Sequence, residues 1–189
     1  LISSFRPKNL LDIGANQGHF SQIFSNYFPS TKNYFLIEAN EECEPFLKEL
    51  SFQYKICLLS NEDKEITFYY DPEDSSGSGN SYYRQNYLKE RFKKKIIKST
   101  TLDQLLAETK QKFEFIKLDT QGSELDILIA GKKALSNAKY VLIECMNANL
   151  MQYNYGAPSE TEVIEFMEKY GFKYNLVVDE HIWQDQKDP

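Results

Sequence analysis

The sequence predicts a doubly wound α/β domain, in which a mostly parallel sheet carries helices on both faces. Short apolar runs such as 34–37 and 140–143 alternate with segments whose apolar residues recur at a helical period. These runs are apolar throughout, which is typical of strands buried on both sides. The first predicted strand leads through a glycine-containing turn directly into a helix, as strands of such sheets do.

The elements alternate along the chain. Strands are predicted from Asn9 into a turn at Ala15, and at 34–37, 52–59, 65–70, 94–98, 113–119, 140–144 and 172–178. Helices are predicted at 18–28, 41–50, 101–109, 122–130 and from Ser159 to Gly171. Two helix starts have the spacing of a capping box, Thr101 with Gln104 and Ser159 with Glu162. Residues 71–80 (DPEDSSGSGN) have no period and predict a loop.

Length and charge limit the possible functions. The chain has 189 residues and a net charge of −6, from 22 basic and 28 acidic residues. We expect one domain over residues 1–189, and a piece of a longer protein because the first residue is Leu1 rather than Met. The acidic balance argues against a nucleic-acid partner, since binding nucleic acid needs excess positive charge to displace counterions.

Three scattered cysteines predict neither a disulfide framework nor a zinc site. Cys43, Cys57 and Cys145 have no metal-ligand spacing, and we expect reduced thiols in a cytoplasmic protein. No apolar run is long enough to span a bilayer, so no membrane partner is expected. No metal ligand is assigned, and the oligomeric state stays open.

Acidic residues stand at or near the ends of four predicted strands, namely Asp12, Glu38, Asp119 and Glu144. In an open α/β sheet, ligands bind beyond the carboxyl ends of the strands. We therefore expect the four carboxylates to converge on one crevice. For each acid alone, the alternative is a helix cap or a side chain that faces solvent.

The turn after the first strand, DIGANQG at 12–18, predicts the ligand class. Gly14 permits a tight turn, and Gly18 permits close packing at the helix start. The dinucleotide fingerprint Gly-x-Gly-x-x-Gly would need glycines where Asn16 and His19 stand, and both side chains would crowd a pyrophosphate. The turn therefore favours S-adenosylmethionine, which has a ribose and an adenine but no pyrophosphate.

Glu38 is the predicted ribose ligand. A carboxylate at the end of the second strand can accept hydrogen bonds from two ribose hydroxyls, although NAD enzymes carry an acid there as well. Its neighbour Ala39 is assigned to the same cofactor site. Leu59 and Ser60, after the third strand, are assigned to the adenine edge, with plain core as the alternative.

Residues 71–95 are the predicted acceptor-binding lid. A Ser- and Gly-rich run is followed by Tyr82, Tyr83 and Arg84, which suit stacking on a sugar or binding an anionic group. The basic run at 91–95 favours a phosphate-bearing acceptor such as a nucleotide sugar. An ordinary solvated loop is the alternative.

Three segments resemble the FkbM-type methyltransferases. They are LDIGANQGHFS at 11–21, Thr-Leu-Asp at 101–103, and IKLDTQGSE at 116–124 with Leu128. The resemblance implies a Rossmann-like, seven-stranded sheet with an antiparallel final strand at its edge, and O-methylation of sugars or other polyhydroxylated metabolites. It implies that Asp119 faces the methionine end or the acceptor, and that the cofactor is held by Asp12, Gly14, Ala15, Asn16, Gly18 and Glu38. For the final strand, either residues 181–183 supply a stub or the strand is missing.

Methyl transfer needs a well-aligned nucleophile, and a hydroxyl acceptor also gains from a general base. Asp119 is the first candidate for that base, and Glu144 and His19 are the others. Asp119 and Glu144 together could instead bind a divalent metal with the substrate's hydroxyls, and His19 could be a surface histidine. Glu124 is either a site residue or an acid favoured by the helix dipole.

Two further functions stay open from the sequence. One is a non-catalytic module that binds S-adenosylmethionine or a sugar. The other is an NAD-dependent oxidoreductase, against which Asn16 and His19 argue.

Overall fold

The computed structural model of the protein describes residues 5–73, 77, 79–85, 92–145, 154–177 and 180–185. Its strands are β1 Asn9–Ile13, β2 Asn33–Glu38, β3 Gln53–Ile56, β4 Leu58–Leu59, β5 Glu65–Tyr70, β6 Arg84–Gln85, β7 Lys93–Thr100, β8 Phe115–Leu118, β9 Tyr140–Ile143, β10 Asn154–Tyr155, β11 Phe172–Val177 and β12 Glu180–Asp185. Its helices are α1 His19–Tyr27, α2 Glu44–Glu49, α3 Leu102–Thr109, α4 Glu124–Ile129, α5 Lys132–Leu135 and α6 Glu160–Lys169, and a single 3₁₀ turn covers Glu41–Cys43.

Seven strands form the main sheet, in the order β11-β12-β9-β8-β1-β2-β3. The five strands from β9 to β3 pair in parallel, and β12 is antiparallel to both of its neighbours. The prediction of a mostly parallel, doubly wound α/β sheet is confirmed. The final strand is present as a six-residue strand rather than a stub.

The expected antiparallel edge is present and consists of two strands, β11 and β12. Two residues separate β11 from β12 in sequence, and so short a connection can join only antiparallel strands. The other side of β12 pairs with β9, so β12 lies second from the edge and β11 takes the edge position.

Two apolar layers cover the sheet, as the helical periods predict. On one face Leu11, Ile116 and Val141 pack with residues of α3, α4, α5 and α6. On the other face Leu10 and Phe115 pack with residues of α1 and α2. Because successive strand residues point to opposite faces, Asp12 and Lys117 face the α1 side, beneath the carboxyl edge of the sheet.

The predicted strand at 52–59 divides into two. The backbone N–H of Cys57 donates to the carbonyl of Glu38 at 2.8 Å, and the chain then leaves the main sheet. β4 pairs in parallel with β7, which pairs antiparallel with β5. In the resulting three-stranded sheet, β5 and β7 confirm the strands predicted at 65–70 and 94–98. The short β6–β10 pair and the separate helix α5 were not predicted, since each consists of few residues.

The Thr-Leu-Asp segment at 101–103 joins two helices. Thr101 and Gln104 form the predicted capping box of α3, and Leu102 is fully buried. The Asp103 carboxylate accepts hydrogen bonds from the backbone N–H groups of Lys133 and Ala134, at 3.0 and 3.1 Å. Asp103 therefore caps α5 from outside that helix.

Among the described residues, no helix has both the length and the hydropathy needed to cross a bilayer.

We predict that Asp103→Ala lowers the free energy of unfolding by about 1 kcal/mol, because the first N–H groups of α5 lose their acceptor. Urea denaturation followed by circular dichroism measures this change. Glu108→Ala is the matched control, since Glu108 is an exposed acid on the same helix. Equal stability of the two variants would contradict the capping role.

Candidate functional site

A cleft opens beyond the carboxyl ends of β1, β2 and β8. We call it the cofactor cleft, and its lining comes from six parts of the chain, namely residues 13, 14 and 16, residues 37–39, residues 57–59, Phe68, residues 77 and 79–82, and residues 119–121, 123 and 127. Of the residues assigned to the cofactor, Gly14, Asn16, Glu38, Ala39 and Leu59 line it. The other four assigned residues are buried and are absent from the described lining, namely Asp12, Ala15, Gly18 and Ser60.

The loop after β1 closely approaches the end of β8. Gly14 has φ +75°, and a Cβ at this position would overlap the backbone carbonyl of Asp119. The N–H groups of Gly14 and Ala15 both donate to the carbonyl of Ile37, at 2.9 and 3.0 Å. Asn16 follows with φ +50°, a conformation that Asn tolerates better than most residues. This loop therefore needs glycine at position 14 because of the neighbouring backbone.

Glu38 holds the loop and still has free acceptor positions. One carboxylate oxygen accepts from the Asn16 N–H at 2.8 Å, and the other accepts from the Asn40 N–H at 2.7 Å. Burial raises the pKa of Glu38, although these backbone donors oppose the shift. The Ala39 N–H also donates to this carboxylate, so three backbone donors share its four lone-pair positions. The carboxylate therefore keeps acceptor capacity for a ribose hydroxyl.

Of the four strand-end acids, Glu38 and Asp119 line the cofactor cleft, whereas Glu144 and Asp12 are absent from its described lining. Asp12 is fully buried on the α1 side, where Ser21 donates to its Oδ2 at 2.7 Å and Lys117 Nζ lies 3.3 Å from its Oδ1. The expected convergence of four acids therefore fails for Asp12, because it precedes the end of β1 by one residue. A direct cofactor contact from Asp12 has no support in this position.

Lys117 is the residue that the sequence interpretation missed. Its side chain is 8% exposed, and Nζ donates to the Gly14 carbonyl at 3.0 Å and lies 3.3 Å from Asp119. Burial lowers the pKa of Lys117, but the carboxylates of Asp12 and Asp119 outweigh burial and raise it. The available signal was a lysine between apolar residues of a predicted strand, two residues before Asp119, whereas its pairing with Asp12 appears only in the structure.

Asp119 and Glu144 lie side by side at the end of β8 and just after β9. The Gln121 Nε2 group donates to both carboxylates, at 3.0 Å each. A hydrogen bond to Asp119, together with burial, raises the pKa of Glu144. Burial raises the pKa of Asp119, but the hydrogen bond with Glu144 and the charge of Lys117 outweigh burial and hold this pKa below its usual value. Because Glu144 is exposed and Asp119 is 38% exposed, water screens this pair.

Glu124 shapes the loop between Asp119 and α4. Its buried carboxylate accepts from the Thr120 N–H at 2.6 Å, the Thr120 hydroxyl at 3.0 Å and the Gly122 N–H at 3.0 Å. The sequence left two alternatives for Glu124, an acid favoured by the helix dipole and a site residue. Its hydrogen bonds instead give it a structural role in the loop next to the site. Glu124 holds the loop that carries Gln121.

The predicted acceptor residues occupy three different environments. Tyr82 lines the cofactor cleft, and its hydroxyl donates to Asp126 Oδ2 at 2.7 Å. Tyr83 donates to the same oxygen at 2.7 Å, and Arg84 is exposed. Ser81 donates to the carbonyl of Gln121 at 2.9 Å, which joins this segment to the loop after β8. Residues 74–76, 78 and 86–91 of the predicted lid lie outside the described residues.

Two further groups of predicted site residues lie away from the cleft. His19 is exposed at the start of α1 and is absent from the described cleft lining, so its position does not support a role as base. The lysines of the basic run lie in β7, where Lys94 lies over the ring of Tyr69 and Lys95 pairs with Glu41 at 3.1 Å. Within the described ranges, no three His, Cys, Asp or Glu residues come together as metal ligands.

Comparison with known proteins now identifies the class. A family model described as the methyltransferase FkbM domain matches residues 12–174. No curated protein sequence matches the chain. Among solved structures, the methyltransferase FkbM of Methylobacillus flagellatus KT matches with a TM-score of 0.61 at 13% identity, over 94% of this chain and 43% of that one.

Two other structures share the fold. An O-methyltransferase family protein from Burkholderia thailandensis matches with a TM-score of 0.53 at 9% identity, over 95% of this chain and 51% of that one. The plantazolicin methyltransferase BamL, solved with a triazolic desmethylPZN analog and S-adenosylhomocysteine, matches with a TM-score of 0.51 at 10% identity, over 89% of this chain and 57% of that one. The chain thus spans about half the length of these structures, and identities this low show the fold alone.

The family match and the fold place the chain among the Rossmann-like methyltransferases that depend on S-adenosylmethionine. The family model covers most of the chain, so the chain belongs to the FkbM methyltransferase family. The resemblance stated from the sequence and its cofactor are confirmed. Family membership also rules against the alternative of an NAD-dependent oxidoreductase.

We predict that Gly14→Ala destabilises the protein far more than Gly171→Ala. Both glycines have positive φ, but a Cβ on Gly171 meets nothing within 4 Å, whereas one on Gly14 meets the Asp119 backbone. Gly171→Ala should therefore cost only the left-handed strain of about 1–2 kcal/mol. Urea denaturation compares the two, and equal losses would show that crowding at position 14 has no effect.

Proposed function

We propose that this chain transfers a methyl group from S-adenosylmethionine to a hydroxyl of a sugar or another polyhydroxylated small molecule. The observation that carries the proposal is the pair of carboxylates Asp119 and Glu144, bridged by Gln121 beside the cofactor cleft. A hydroxyl acceptor needs a group that takes its proton, and a carboxylate pair at this edge of the sheet provides one.

The cofactor assignment follows the lining of the cleft. Glu38 accepts the ribose hydroxyls, and the loop at Gly14 and Asn16 faces the methionine part. Leu59 and Phe68, both nearly fully buried, offer an apolar wall for the adenine. When bound, S-adenosylmethionine supplies an electrophilic methyl group, so the protein has mainly to align the acceptor oxygen with it.

Asp119 is the proposed proton acceptor. Its low pKa keeps it charged at neutral pH, so its carboxylate can accept a hydrogen bond from the acceptor hydroxyl. The proton moves to that carboxylate as the oxygen attacks. The raised pKa of Glu144 in the same pair disfavours the state in which both acids carry a full charge.

The acceptor class is inferred from the segment that reaches over the cleft. The Tyr82 ring lines the cleft while its hydroxyl is bound to Asp126, so the ring face is the part available to a sugar. Exposed Arg84 suits a phosphate group, as in a nucleotide sugar. The net charge of −6 argues against nucleic acid as the acceptor.

We predict that Glu38→Gln weakens binding of S-adenosylhomocysteine about tenfold or more. Hydrogen bonds to a charged group contribute about 1.5–3 kcal/mol, and the amide loses that charge. Isothermal titration calorimetry measures the affinity, with NAD titrated in parallel into the original protein. The control is Glu42→Gln, which removes the same charge from an exposed neighbour. Full affinity in Glu38→Gln would remove the ribose assignment.

We predict that Asp119→Asn lowers turnover about 10²–10⁴-fold, because the amide cannot take the proton. Release of S-adenosylhomocysteine is first measured with the original protein on free sugars, sugar phosphates and nucleotide sugars. The best acceptor then serves to compare Asp119→Asn with Glu144→Gln, and the asparagine variant should be much the slower.

Several results would count against the proposal. Unchanged turnover in Asp119→Asn would exclude Asp119 as the base. Binding of the cofactor without turnover on any of the acceptors would favour a binding module, and NAD binding without S-adenosylhomocysteine binding would overturn the cofactor assignment for this chain.

A further inference from the structure

A buried lysine connects the two halves of the proposed site. Lys117 Nζ donates to the Gly14 carbonyl at 3.0 Å and lies 3.3 Å from both Asp12 Oδ1 and Asp119 Oδ2. We propose that Lys117 is a positioning residue that fixes the distance between the loop after β1, at Gly14, and the carboxylate of Asp119. This inference rests on the proposed function, in which Gly14 and Asp119 serve the cofactor and the acceptor.

The three partners of Lys117 match its bonding capacity. An ammonium group has three donors and no acceptor, and here one carbonyl and two carboxylates surround it. The Phe20 ring also lies below it, with Nζ 5.5 Å from the ring centroid. Because the side chain is 8% exposed, water has little access to compete for these contacts.

Asp12 makes the position of Lys117 stable. A buried cation needs a buried anion, and Asp12 is fully buried with its second oxygen bound to Ser21. Asp12, on β1, therefore binds Lys117 on the core side, while Asp119, 38% exposed, lies on the cleft side. The three charged groups form a continuous series from the core to the cleft, with the ammonium group in the middle.

The same contact controls the charge on Asp119. The charged groups that face this carboxylate are Lys117 on β8 and Glu144 after β9. Asp12 on β1 lies on the other side of Lys117, and Glu124 at the start of α4 interacts with Glu144. Glu38, at the end of β2, also interacts with Lys117. Lys117 is the one cation among them, so its removal should raise the pKa of Asp119.

The test compares two proteins in which the buried charges stay balanced. The original protein, with both Asp12 and Lys117, is the reference, and Asp12→Asn with Lys117→Met is the test variant, because it removes the buried anion and the buried cation together. The Asp119 carboxyl is titrated by ¹³C NMR in aspartate-labelled protein, and its signal is assigned from its disappearance in Asp119→Asn. Affinity for S-adenosylhomocysteine is measured by calorimetry on the same samples.

We expect the pKa of Asp119 to be about one unit higher in the double variant than in the reference. We expect affinity for S-adenosylhomocysteine to fall roughly fivefold, since the loop carbonyl loses one hydrogen bond. If the double variant does not fold, Lys117→Gln in the Asp12→Asn background carries the same two expectations.

An unchanged pKa of Asp119 would overturn the proposal. A shifted pKa with unchanged affinity would also overturn it, because Lys117 would then act on Asp119 alone and not on the loop. Failure of the proposed function looks different, since the original protein would then bind or turn over no S-adenosyl compound while the titration of Asp119 would still respond to Lys117.

Discussion

The close approach of the loop after β1 to the end of β8 is the constraint on which the rest of the site depends. Gly14 lies against the Asp119 backbone, where no side chain fits, and its carbonyl accepts from Lys117. This contact brings the loop that faces the cofactor beside the strand end that carries Asp119. The arrangement of β1 next to β8 in the sheet makes the approach possible.

Charge is distributed unevenly across this site. Asp12 and Lys117 are buried and neutralise each other beneath the cleft, while Asp119 and Glu144 stay in contact with water at its edge. Burial makes the lower pair dependent on each other, whereas the upper pair can exchange protons with solvent. The structure thus separates the charges that hold the site together from those able to take part in chemistry.

The three segments that resemble the family also contain both kinds of residue, those that line the cleft and those that hold the site together. Gly14 and Asn16 of the first segment and Asp119 of the third line the cleft. The Thr-Leu-Asp segment lies away from it and caps two helices, and Glu124 holds the loop that carries Gln121. Segments that identify the family therefore include residues whose contribution is to position others.

Local sequence patterns predicted the doubly wound sheet, five of its helices and the cleft-lining positions of Gly14, Glu38 and Asp119, because apolar period and strand-end position are local properties. Three features follow from the tertiary fold instead, namely the burial of Asp12 under Lys117, the hydrogen bond from Tyr82 to Asp126 and the position of β12 beside β9. Each of these depends on contacts between residues far apart in the chain. No local pattern shows which side chain a buried acid or phenol will meet.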